Sequence, residues 1–212
     1  MTAVRIGLAA LGLLAGGLAI ACDRKGLRRP FRVLKPLATS FIILVALAAR
    51  TPVPPAYKTF ILAGLVCSLA GDAALMFGDR WFAAGLAAFL AAQVLYICAF
   101  RPGAGRPVSV WLLLPFMVYG MFMFRILAPR LGPLRLPVFV YIVAITAMAW
   151  LAAERFVYFG GAGTLMACAG AVLFLVSDSV LAYDRFAGRI GGAQLLILGT
   201  YFPAQALIAL SV

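Results

Sequence analysis

The sequence predicts an all-α polytopic membrane protein. Eight transmembrane helices form a single domain over residues 1–212, whose halves, near 1–106 and 107–212, are related as a parallel four-plus-four repeat. Three observations carry this reading. The chain is 66% hydrophobic and 11% charged, with a mean hydropathy of +1.10, whereas a soluble domain is roughly 45–50% apolar and about 25% charged. Eight apolar stretches each approach the ~20 residues that a helix needs to cross the hydrocarbon core. Two aspartates, Asp72 and Asp178, lie inside such stretches at matching places 106 residues apart.

The first helix is expected over Thr2–Cys22. It ends Ala19-Ile20-Ala21-Cys22, a weak lipoprotein-like cleavage site. The cluster that follows (Arg24, Lys25, Arg28, Arg29, Arg32 and Lys35) resists translocation and marks a cytoplasmic loop. The segment is therefore read as a retained helix and not a cleaved signal. The second helix, Val33–Ala49, stops at Thr51-Pro52-Val53-Pro54-Pro55, which cannot continue a helix. The third and fourth run over Tyr57–Phe77 and Trp81–Phe100. Arg101-Pro102-Gly103-Ala104-Gly105-Arg106-Pro107 then breaks the chain. The fifth, Val108–Leu127, ends before Pro129-Arg130-Leu131-Gly132-Pro133. The last three are Leu136–Ala153, Gly160–Tyr183 and Ile190–Leu210. All connections are short, and no segment suits a soluble domain.

Charge sets the expected topology. Eighteen Lys and Arg face six acidic residues, a net charge of +12. The basic residues cluster between apolar runs, so they read as topology signals and contacts to membrane-lipid phosphates, not to nucleic acid. The loops after helices 1, 3, 5 and 7 hold 12 of the 18. That bias predicts these loops in the cytoplasm and both termini outside. The Ala, Leu and Arg bias suits a bacterial inner-membrane protein. The chain has no histidine, and its four cysteines, Cys22, Cys67, Cys98 and Cys168, are isolated. No metal site and no cofactor is expected, and the cysteines read as small buried hydrophobes.

The repeat is local but extended. Gly71-Asp72-Ala73-Ala74-Leu75-Met76-Phe77 leads to Asp79-Arg80-Trp81. With Gly78 as an insertion, it matches Ser177-Asp178-Ser179-Val180-Leu181-Ala182-Tyr183 and Asp184-Arg185-Phe186. Helices 3 and 7 cross the membrane in the same direction, so both aspartates share one depth near the first-loop face. A parallel repeat about an axis along the membrane normal places these helices facing each other. A carboxyl group in hydrocarbon costs a few kcal/mol even on mild scales, so it is rarely idle.

Other polar groups in or at the ends of the helices are Lys35, Gln93, Tyr96, Tyr141, Tyr201 and Gln205. Tyr96 and Tyr141 also suit an interfacial belt, Gln93 and Gln205 interhelical hydrogen bonding, and Lys35 snorkelling. Ser177 and Ser179 flank Asp178, but without His no Ser triad exists, and such serines more often bond their own backbone. Two buried carboxyls sharing one pocket hold one proton between them. Such a pair can protonate a reacting group and stabilise the cation that follows, which suits chemistry through an oxocarbenium ion.

The residues Lys35-Pro36-Leu37, Ser68–Met76, Gln93-Val94-Leu95-Tyr96, Phe174–Ala182 and Tyr201–Ile208 resemble the YhhN family, the lysoplasmalogenases, over nearly the whole chain. One departure is Gln93, where the family often has His; here the side chain can serve only as a hydrogen-bonding group. The resemblance implies a metal-independent membrane hydrolase that cleaves the vinyl-ether bond of lysoplasmalogen to a fatty aldehyde and a glycerophospho-alcohol. It implies Asp72 and Asp178 as the catalytic pair, with a lysophospholipid as substrate. Tyr141 and Tyr201 would position the ether oxygen or the water. Lys35, Arg80 and Arg185 would hold the phosphate, with Gln93 and Gln205 also lining the site. The alternative class is a proton- or sodium-coupled carrier, since buried acids at a repeat interface occur there too. A purely structural bundle, with its aspartates bonded to backbone or Lys35, is the third.

Overall fold

The computed structural model describes residues 2–50, 53–101 and 109–212, apart from the side chain of Asp79. Among these residues there are eight long helices and no strands: α1 (Ala3–Arg24), α2 (Arg28–Leu47), α3 (Pro55–Met76), α4 (Phe82–Phe100), α5 (Val110–Leu127), α6 (Arg135–Phe159), α7 (Gly161–Ala182) and α8 (Ala193–Leu210). All eight are long and apolar enough to cross a membrane. The protein is an all-α integral membrane protein. Val108, the first residue of the expected fifth helix, lies outside the described residues, as does most of the turn before it.

The boundaries differ where local chemistry outweighs hydropathy. α2 begins at Arg28, five residues before the apolar run, because its basic first turns carry side chains that reach the polar face while their stems stay apolar. α6 continues through Glu154 to Phe159. The carboxylate does not end the helix because it accepts hydrogen bonds from the Ser109 backbone N–H (2.9 Å) and the Trp150 indole N–H (3.2 Å). α3 starts at Pro55, where the missing N–H of a first-turn proline costs nothing. α7 gives way to a π-helical turn, Tyr183–Ala187, an irregularity that often marks functional sites.

Side-by-side packing runs α2–α3–α4–α6–α7–α8–α1 and back to α2. α8 also reaches across to α3 and is the most enclosed span. α5 lies outside this ring, along α6. The two halves correspond in several contacts: α3–α4 matches α7–α8, α2–α3 matches α6–α7, and α4–α6 matches α8–α2. The expected meeting of helices 3 and 7 is indirect. They share no extended packing; α4 and α8 stand between them, and the rings of Phe89, Phe174 and Tyr201 fill the centre at 5.8–6.2 Å. Close approach there needs glycine. A Cβ on Gly64 would sit 2.3 Å from the ring of fully buried Tyr96.

Arg5 is more than a topology signal. It is 2% exposed, and its guanidinium donates to the carbonyls of Val45, Ala209 and Leu210 at 3.1–3.2 Å. It ties α1 to the ends of α2 and α8 on the face opposite the aspartates.

Candidate functional site

The two aspartates sit near the C-terminal ends of α3 and α7, on the face of the bundle that carries the α1–α2 connection. Their surroundings differ. Asp72 is 1% exposed and fully engaged. Its Oδ1 pairs with the Lys35 ammonium at 3.1 Å. Its Oδ2 accepts from the Thr39 hydroxyl and the Tyr201 phenol, both at 2.7 Å. Lys35 and Thr39 are four residues apart on α2, so one helical face delivers both. A buried carboxylate matched by a cation and two donors is electrically satisfied.

Asp178 has no cation partner among the described residues. Its Oδ2 accepts from the Tyr141 phenol on α6 and from the Gln93 amide on α4, the latter at 3.3 Å. Its Oδ1 makes no hydrogen bond among the described residues, and the side chain borders an apolar cavity of about 50 Å³. Leu75, Phe82, Leu86, Phe89, Tyr119 and Met123 form part of its wall. The Tyr119 phenol donates to Ser179 at 2.7 Å, tying α5 to α7 beside the acid.

The two carboxyls are not bonded to each other; each has its own partners. The repeat reappears in their partners. Tyr141 lies 106 residues after Lys35, the same separation as Asp178 from Asp72. Each aspartate thus takes one partner from the second helix of its own half. It takes another from the fourth helix of the other half, Tyr201 for Asp72 and Gln93 for Asp178. One half carries a cation where the other carries a phenol.

Toward the membrane face, a second cavity of about 210 Å³ adjoins the first and shares Leu75, Phe82 and Leu181 with it. Lys35, Asp184, Arg185, Arg189 and Gln194 give it a polar lining. Phe82 divides the two cavities. The Arg185 guanidinium lies 4.8 Å from its ring centre, and Phe186 meets it edge-on at 5.9 Å. The π-turn places both residues. Asp184 pairs with Arg189 at 3.6 Å and accepts from the Ile190 backbone N–H at 2.8 Å.

A family model described as the YhhN family matches residues 31–212. The chain belongs to the YhhN family. Among similar proteins, "Lysoplasmalogenase TMEM86B" of Homo sapiens is 38% identical over 155 residues, 73% of this chain and 64% of that protein. "Lysoplasmalogenase TMEM86A" of Bos taurus is 36% identical over 163 residues, 74% and 66% respectively. "Uncharacterized membrane protein YhhN" of Escherichia coli O6:H1 is 29% identical over 179 residues, 84% and 85%. The match thus spans just under two thirds of the human and bovine relatives. No solved structure matches the chain.

The YhhN match begins in α2 and covers both aspartates and every bonded partner named above. Lys35, Gln93, Tyr141 and Tyr201, all singled out in the sequence, bond directly to an aspartate. Gln205 does not; its amide oxygen accepts from Tyr96 at 2.8 Å, deeper in the bundle. Arg80 borders neither cavity, and its guanidinium lies 5.8 Å from the Trp81 ring centre. Thr39, Tyr119, Arg189 and Gln194 carried no signal as single residues. The spacing of Thr39 from Lys35, one helical turn, could have found it. Among the described residues no group of three or more His, Cys, Asp or Glu side chains converges as metal ligands would.

Proposed function

We propose that this YhhN-family protein hydrolyses the vinyl-ether bond of a lysoplasmalogen, and that Asp178 is its proton donor. The observation that carries the assignment is the asymmetry of the two aspartates. Asp72 has a lysine and no free oxygen, whereas Asp178 has two neutral donors on one oxygen and no hydrogen bond on the other among the described residues, on a side chain that borders a cavity. A carboxylate buried without a cation is costly, so the resting acid keeps its proton on Oδ1. The names of the mammalian relatives support the same chemistry.

The steps balance without a co-reactant other than water. Asp178 Oδ1–H gives its proton to the alkene carbon remote from the ether oxygen, leaving an oxocarbenium ion and an aspartate. The new carboxylate stabilises that cation at close range. It then takes a proton from a water that adds to the carbon bearing the oxygen. The cavity has room for about three or four water-sized groups, enough for that water. The resulting hemiacetal transfers its hydroxyl proton to the ether oxygen and breaks the C–O bond. A fatty aldehyde and a glycerophospho-alcohol leave. Tyr141 and Gln93 orient Asp178. Asp72 holds Lys35 and Tyr201 in place and is a positioning group. Lys35, Arg185 and Arg189 supply positive charge for the phosphate. No step in this scheme calls on a metal.

The test is mass-spectrometric detection of aldehyde from alkenyl-glycerophosphocholine and alkenyl-glycerophosphoethanolamine incubated with the purified protein in lipid nanodiscs. Turnover that is lost in Asp178→Asn is expected, by about 10²–10⁴-fold for loss of a general acid. No aldehyde from the parent, or full activity in Asp178→Asn, overturns the proposal. Activity that requires a sodium or proton gradient would instead indicate a carrier.

A further inference from the structure

The correspondence between the halves breaks at one place. In the first half, α1 packs tightly on α2 and also on α8. Small residues make this possible. A Cβ on Gly16 would lie 2.6 Å from the Phe202 ring, and one on Gly12 would lie 3.1 Å from Ile42. Gly12 and Gly16 form the small-xxx-small spacing that lets membrane helices approach closely. In the second half, α5 is the counterpart of α1. It packs along α6 and touches the π-turn, but it has no extended contact with α4, the counterpart of α8. Its sequence explains this, since the side chains it turns inward, Tyr119, Met123 and Leu127, are bulky, unlike Gly12 and Gly16 of α1. Only Gly120, Met123 and Leu127 of α5 are buried.

The seam that α1 closes by close helix contact in one half is bridged in the other by side chains alone, Leu86 of α4 packing on the Met123–Leu127 cluster of α5, and Asp178 lies behind it. The cavity beside Asp178 is walled by Leu86 of α4 and by Met123 and Leu127 of α5. Above it, at the membrane face, stands the basic cavity with Lys35, Arg185 and Arg189. A space of about 50 Å³ takes about three or four water-sized groups, far fewer than a fatty chain contains. A single-chain lipid reacting at Asp178 thus has only its ether group and first carbons inside the protein. The rest must leave by parting the Leu86, Met123 and Leu127 side chains, which bridge α4 and α5, into a bilayer where hydrocarbon meets hydrocarbon at no cost.

Resting on the function proposed above, we infer that the slot between α4 and α5 is the lateral portal and chain-binding site for a single-chain ether phospholipid. The substrate slides in sideways from one leaflet. Its phosphate enters the basic cavity, its vinyl ether stops at Asp178, and its tail stays between Leu86 and Met123 in contact with the bilayer.

The test uses a non-hydrolysable alkyl-ether lysophosphocholine with a diazirine in mid-chain, photolysed with the whole protein in nanodiscs and mapped by mass spectrometry. Labelling is expected on the α4 and α5 segments around Leu86 and Met123, and an unlabelled lysolipid should compete it away. Leu86→Trp, which fills the slot, should lower that labelling about tenfold. Val94→Trp, on an exposed stretch of α4 away from the cavity, should leave it unchanged. Competable label on α1, α2 or α8 overturns the portal, as does label spread evenly over all lipid-facing helices. Because this readout needs no turnover, the two proposals fail separately. Specific α4–α5 labelling without aldehyde production leaves the portal standing and removes the chemistry; aldehyde production with label elsewhere does the reverse.

Discussion

Lys35 and Asp72 provide a test that needs no substrate. Both are nearly removed from solvent, with side chains 6% and 1% exposed, and they meet at 3.1 Å. Lys35→Met leaves Asp72 buried with two hydroxyl donors and no cation. Breaking a buried pair by removing one partner costs about 3–5 kcal/mol, because the remaining charge is uncompensated. Asp72 can recover part of this by taking up a proton, so the lower end of the range applies. At about 2–4 °C per kcal/mol for a chain of this size, the melting midpoint falls by roughly 10 °C. Asp72→Asn, which strands the ammonium, should cost a similar amount. The double variant removes both charges, and the hydroxyls of Thr39 and Tyr201 can still donate to the amide oxygen. It should melt within about 1–2 kcal/mol of the parent; set against two single losses of about 3 kcal/mol each, that is a coupling energy of about 4–5 kcal/mol. The assay is thermal unfolding of the four proteins in one detergent, followed by intrinsic tryptophan fluorescence. Additive losses would refute the reasoning, because they would mean that the two side chains do not depend on each other.

Other expectations separate the remaining roles. Tyr141→Phe removes one of two donors to Asp178 while keeping the ring, so the rate on a lysoplasmalogen should fall about 10²-fold with little change in melting temperature, the lower end of the about 10²–10³ that loss of one preorganised donor costs, because Gln93 remains. Arg185→Gln and Arg189→Gln should each raise KM for a phosphate-bearing substrate about five- to tenfold, as expected for a charge-assisted contact. The same variants should leave KM for an alkenyl glycerol without phosphate almost unchanged, measured by aldehyde release. Gly64→Ala places a methyl 2.3 Å from the buried Tyr96 ring and should destabilise by about 1–3 kcal/mol. Gly17→Ala, with open space around it, should not.

Much of this arrangement was legible in the sequence because hydrocarbon is an unforgiving solvent. Polar residues inside apolar runs are few, and four of those singled out bond directly to an aspartate. What hydropathy could not provide was the pairing. Nothing in composition says that Lys35 goes to Asp72 and Tyr141 to Asp178. The common separation of 106 residues does, once the repeat is applied to the second helix of each half as well as the third. Arg80 and Gln205 show the opposite limit. Arg80 shares the repeat position of Arg185, yet the turn after α3 is a short 3₁₀ segment and not a π-turn, and its side chain goes to Trp81. Gln205 is buried one turn beyond Tyr201, which puts it with Tyr96 and not with a carboxyl. Loop geometry and helical phase decided both.

The departures from twofold correspondence all favour the same aspartate, and this gives them a common sense. Asp72 meets a lysine, lies behind the seam closed by α1, and has every oxygen occupied. Asp178 meets a phenol, lies behind the seam that α5 bridges by side chains alone, and has one oxygen without a hydrogen bond among the described residues. Neutralising an acid and sealing its access are two ways of making a site inert; omitting both makes one available. Had the lysine stood at position 141 and the phenol at 35, the free carboxyl would face the sealed side, where no lipid chain could reach it. That counterfactual can be built. In Lys35→Tyr/Tyr141→Lys, Asp178 would acquire the cation and Asp72 would lose it. Turnover of lysoplasmalogen should disappear even though both aspartates and the cavity remain, while labelling by the diazirine lipid, which loses Lys35 but keeps Arg185 and Arg189 for its phosphate, should weaken yet stay on α4 and α5. Retained turnover in the swapped protein would show that the partner's charge does not choose the reactive acid.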